Sequence, residues 1–79
     1  MKLKKAVKVA KSTFKLERGI YYITVDEDGR IFLYRNFRPG THRSTMWLAT
    51  HDNSFLGLLD NCTYSGKKHW TKAIRKFVV

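Results

Sequence analysis

Three groups of side chains in this chain could do chemistry on a phosphate or a nucleobase. The first surrounds a Pro-Gly turn: Arg35, Arg38, His42 and Arg43, with Thr41 and Ser44 as hydroxyl donors among them. Guanidinium groups grip phosphate through paired N–H donors, and a turn preset by Pro39 and Gly40 limits the entropy lost on binding. The second group is aromatic. Tyr22, Phe32 and Tyr34 recur within two β-rich runs, and Trp47 follows in a third. Exposed rings accept stacked single-stranded bases for about 1–3 kcal/mol each. The third group is a pair of cationic ends, with Lys4, Lys8, Lys11 and Lys15 near the start and Lys67, Lys68, Lys72, Arg75 and Lys76 near the finish. Such rows hold a nucleic-acid backbone without reading its sequence.

Each group has a plainer role as well. The rings serve equally as core beneath a covering helix, and the cations as a solvated face. His42 is the candidate for acid–base transfer on phosphate, with basic neighbours to stabilise charge. The stretch Gly40-Thr41-His42 resembles the Gly-Ser-His element of the HicA-type toxin ribonucleases, over three residues and with Thr in place of Ser. That resemblance implies a small RNase mixing helices with a three-stranded sheet, with His42 at its active site. Here the element follows the hairpin described below. No RNP-type consensus is present. His42, His51, Cys62 and His69 lie too far apart for the paired spacings of a zinc site, so neither a metal nor another cofactor is expected.

Few elements are needed to position these groups. Residues 20–25 and 30–36 read as a β-hairpin, because β-branched and aromatic residues flank Asp26-Glu27-Asp28-Gly29. Glu27 and Asp28 suit the centre of a type I turn, and Gly29 suits the left-handed bulge position after it. With Asp26 opposite Arg30, the pairs become Val25 with Ile31, Thr24 with Phe32, Ile23 with Leu33, and Tyr22 with Tyr34. One face is then aliphatic and requires a core, while the other carries Tyr22, Thr24, Phe32 and Tyr34.

Residues 44–50 read as a third strand, with Met46 and Leu48 on one side and Trp47 on the other. Asn53 or Ser54 can cap a short helix in which Phe55, Leu58, Leu59 and Cys62 follow helical spacing. After Ser65-Gly66 a final helix turns Trp70, Ala73, Ile74 and Phe77 inward and its cations outward. At the N-terminus Leu3, Val7, Ala10 and Phe14 describe a helix beside the lysine stripe, with a strand as the rival. The expected fold is α+β: a three-stranded antiparallel sheet around the central hairpin, with helices in the C-terminal half and at the N-terminus.

Seventy-nine residues form one small domain, and at this size only about 60% of the unfolded chain's surface is buried. The 14% aromatic content compensates for the thin core. Sixteen Lys and Arg against six Asp and Glu leave a formal charge of +10, which is a self-repulsion that an acidic partner would relieve. Segments 1–18, 35–50 and 64–79 are basic, whereas 19–34 and 51–63 carry more acids than bases. A single cysteine, Cys62, cannot form an internal disulfide and fits the reducing cytoplasm. The lysines after Met1 interrupt any signal-peptide core, and no apolar run approaches the roughly 20 residues of a membrane span.

The leading expectation is therefore a non-enzymatic nucleic-acid-binding module that combines phosphate contacts with aromatic stacking and has little sequence preference. The alternative is a small accessory protein, of the kind phages and mobile elements use, that docks on an acidic host protein through anchors such as Tyr34, Trp47 and Arg38. A toxin-type RNase is third. A homodimer is compatible with spare aromatic surface.

Overall fold

The computed structural model describes residues 1–51 and 53–79. One helix, α1 (Leu3–Thr13), precedes six strands: β1 (Ile20–Val25), β2 (Arg30–Arg35), β3 (Thr41–Arg43), β4 (Met46–Leu48), β5 (Phe55–Thr63) and β6 (Ile74–Val78). A single 3₁₀ turn, Trp70–Lys72, leads into β6. The main sheet is antiparallel in the order β5-β2-β1-β6, and β3 and β4 form a separate two-stranded ribbon.

The hairpin of β1 and β2 pairs Val25 with Ile31, Thr24 with Phe32, Ile23 with Leu33 and Tyr22 with Tyr34. Its turn closes through Asp26 N–H to Arg30 O at 3.0 Å and Gly29 N–H to Asp26 O at 2.9 Å, with Gly29 at φ 88°. Ile23, Val25, Ile31 and Leu33 are fully buried. Burying side chains of this kind stabilises by about 1.5–3 kcal/mol each. The covering layer is α1, which approaches closely because its buried residues are Ala6 and Ala10, with Leu3, Val7 and Phe14 packed at the margins. Leu59, Ala73 and Phe77 complete the cluster, with Phe77 stacked on Tyr21 at 5.5 Å.

The C-terminal half departs from the sequence expectation. Among the described residues there is no α-helix there: residues 55–63 and 74–78 are the two outer strands of a four-stranded sheet. Helical spacing in Phe55, Leu58, Leu59 and Cys62 comes from a broken strand phase. Arg30 faces Thr63 while Phe32 faces Leu58, so a five-residue step on β5 answers a two-residue step on β2, with Asn61 at φ 60°. Those bulges erase the period-two pattern that marks a strand in sequence.

In the last segment a helical turn does begin. His69 caps it, accepting from Thr71 N–H at 3.3 Å, but it stops at Ala73 (φ −89°, ψ 76°). Beyond that point Ile74–Val78 satisfies the open edge of β1, pairing Ile20 with Val78 through Thr24 with Ile74. Here sheet pairing outweighs the local helical pattern.

The third strand is corrected too. Within 44–50 only Met46–Leu48 is extended, and it pairs with β3 instead of joining the main sheet. The ribbon turns through Ser44 at φ 52°, and its open end is tied by Thr50 Oγ1, which accepts from Gly40 N–H and donates to Arg38 O. No helix among the described residues is long and apolar enough to cross a membrane.

Candidate functional site

The N-terminus packs against the segment that follows β5. The Met1 ammonium donates to Thr63 O, Ser65 N–H donates to Met1 O at 2.9 Å, and Tyr64 N–H donates to Gly29 O at 2.9 Å. These bonds lay the start of α1 against residues 63–65. Lys2, Leu3 and Lys4 then share a groove of about 350 Å³ with Tyr64, Gly66, Lys67, Lys68 and, from β6, Arg75. Lys5 and Lys8 extend the cationic surface beside Lys2 and Lys4 along the helix.

All of these cations are exposed. Among the described residues the ion pairs are Arg30 with Asp28 at 3.1 Å and Arg35 with Glu17 at 3.5 Å, so none of the groove cations has an acid partner. α1 also starts with no acidic residue in its first turn and no side-chain cap, which leaves the positive end of its dipole at the same place. Like charges gathered round one hollow repel, and water and salt screen them only over a Debye length of about 8–10 Å. A polyanion seated there removes that repulsion.

Lys67, Lys68 and Arg75 were expected on a helix face and instead reach the groove from a loop and a strand. Lys72 lies on the 3₁₀ turn and does not line it. Tyr64, Gly66 and Lys2 escaped the sequence reading, whose only signal for them was the Ser65-Gly66-Lys67-Lys68 run beside an aromatic residue.

The aromatic face is not an open platform. It lies opposite α1, and the ribbon covers it: Trp47 is 7% exposed and Tyr34 4%, with Tyr22 and Phe32 half-buried. Trp47 N–H donates to Asp26 Oδ1 at 3.1 Å, Trp47 Nε1 donates to Trp70 O at 3.4 Å, and Glu27 N–H donates to Thr45 O at 2.9 Å. Phe55 adds a ring from β5, 5.4 Å from Tyr34 and 5.8 Å from Phe32.

Between ribbon and β5 runs an apolar groove of about 290 Å³ lined by Phe32, Tyr34, Met46, Leu48 and Phe55, with Asp26 as its charged residue. Burial pushes the Asp26 carboxyl above its ordinary range, and burial followed by the Asp26 charge pushes the Tyr34 hydroxyl up. A phosphate would find no cation in this lining.

The arginine loop is spread out. Arg35 is engaged with Glu17, while Arg38 and Arg43 are exposed around the ribbon. His42 stands edge-on to Trp47 at 5.1 Å and to Trp70 at 5.2 Å, and no ion pair reaches it among the described residues. Its surroundings are those of a packing contact between two indoles. Among the described residues no three of His, Cys, Asp and Glu are grouped to share a metal ion.

No protein-family model matches the chain, and no match to it was found among curated proteins or solved structures.

Proposed function

We propose that this chain is a non-enzymatic nucleic-acid-binding module that seats the sugar–phosphate backbone in the groove between the start of α1 and residues 64–68. The observation that carries this reading is the convergence of Lys2, Lys4, Lys67, Lys68 and Arg75, from distant parts of the chain, on one hollow where none of them is paired with an acid among the described residues. Phosphate contacts made by flexible lysines carry no base information, so sequence preference is weak. Arg38 and Arg43 extend contacts for a longer strand. The cytoplasm, where Cys62 stays reduced and nucleic acid is at hand, is the setting this reading implies.

One observation supports a second reading. The apolar groove of Met46, Leu48 and Phe55, which holds no cation, suits a protein partner, and a basic accessory protein could combine that contact with attraction to an acidic surface. A pull-down from lysate with and without nuclease, followed by mass spectrometry and nucleic-acid sequencing, separates the two. Co-purifying nucleic acid that nuclease removes supports the first reading, and one stoichiometric protein that survives nuclease supports the second.

A further inference from the structure

Resting on the nucleic-acid reading above, we infer that Tyr64 is a base-stacking position and that the groove around it selects single strands over duplex. Tyr64 is the aromatic residue of a lining otherwise made of cations, Leu3 and Gly66. Its backbone is fixed on both sides, by Gly29 O at its own amide and by the Met1 bonds to Thr63 and Ser65. The ring is half-buried, packed against the margin of the core and bordering the groove with its remaining surface.

Gly66 is the second half of the argument. A Cβ at this position would overlap the Tyr64 ring and hydroxyl, so the ring lies directly on the Gly66 backbone. That contact holds the ring in one place, and a ring already immobilised loses little entropy when a base stacks on it.

The cations fix the ligand class. In a duplex every base is stacked on its neighbours, and chiefly the phosphates are presented to a ring in a lysine-lined groove. In a single strand a base can turn in, stack on Tyr64, and leave its flanking phosphates to Lys2, Lys4, Lys67, Lys68 and Arg75. A volume of about 350 Å³ gives room for one base beside the Tyr64 ring.

Titration of a labelled oligothymidylate, the same length as duplex, and inorganic polyphosphate against the full chain and two variants tests this. The single strand is expected to bind more tightly than the duplex at matched salt. Tyr64→Leu is expected to weaken the single strand by about 5- to 150-fold, the range that one lost stacking contact spans, and to leave polyphosphate unchanged. Tyr64→Phe keeps the ring and is expected to keep the affinity, and unchanged polyphosphate binding by Tyr64→Leu certifies that its groove is still folded. Equal binding of single strand and duplex, with no loss in Tyr64→Leu, overturns the stacking assignment while leaving the phosphate reading in place. Absence of binding to all three probes overturns that reading and the inference with it.

Discussion

The Trp47 amide donates to Asp26 Oδ1 at 3.1 Å, so the ribbon that covers the aromatic face is fastened to the hairpin turn by a carboxylate that burial makes harder to ionise. Burial is the largest influence on Asp26; the Trp47 amide works against it and the Asp28 charge adds to it. Because the folded-state pKa is raised above the ordinary 3.8, the contribution of this group to stability is complete below pH 3.8 and is lost as pH rises through the raised value.

Asp26→Asn keeps an oxygen for the Trp47 amide and removes the titration. The stability of the natural chain relative to Asp26→Asn is expected to fall as pH rises from about 3 to about 7, measured by urea unfolding at each pH. A flat difference would show that Asp26 does not sit desolvated under the ribbon. Asp26→Ala, which leaves the amide without its acceptor, is expected to lose about 1–2 kcal/mol at neutral pH.

His42 has an aromatic role in this structure, edge-on to Trp47 and Trp70. His42→Ala is expected to lower stability by about 0.5–1.5 kcal/mol, the range for an aromatic pair. Affinity for nucleic acid is expected to stay the same, and neither protein should cleave a labelled RNA. Cleavage by the natural chain and not by the variant would restore the ribonuclease reading.

Gly29 is held at φ 88°, and a Cβ there would stand 3.0 Å from Thr63 Cγ2. Gly29→Ala is expected to cost about 1–2 kcal/mol from the left-handed backbone alone, read as a drop in melting temperature. The bond from Tyr64 N–H to Gly29 O links this turn to the cationic groove, so the variant should also weaken polyanion binding at temperatures near its midpoint.

The hairpin was legible because two alternating runs meet at a turn whose chemistry fixes the register, and every pair expected between residues 22 and 34 is present. At the N-terminus the spacing of Leu3, Val7, Ala10 and Phe14 favoured a helix but left a strand open, and the helix is what forms. The outer strands were not. In β5 the bulges near Leu56 and Asn61 move Phe55, Leu58, Leu59 and Cys62 onto a false helical phase, and in β6 a short Ile74–Val78 strand exists because β1 offers it an edge.

The same distinction separates the two candidate sites. Charge is additive along a chain, so a net +10 could be read directly. Which cations meet depends on long-range closure: Met1 on Thr63 and Ser65, and Arg75 carried in by β6. For the aromatic face, stacking platform and packing surface were both open in the sequence, and burial of Tyr34 and Trp47 follows the packing alternative. Trp47 was expected to join Tyr22, Phe32 and Tyr34 if the third strand lay alongside; it sits instead on the separate ribbon, where it lines a groove with Phe32 and Tyr34.

The most direct measurement of the central claim is the salt dependence of binding to a labelled single strand, for the natural chain and for Lys67→Glu/Lys68→Glu. If Lys2, Lys4, Lys67, Lys68 and Arg75 each neutralise a phosphate, log affinity should fall linearly with log salt with a slope of about −3 to −4, and the double variant should flatten that slope by roughly 1–2. Binding that ignores salt, or that survives the double charge reversal unchanged, would contradict the groove as the place where nucleic acid is held.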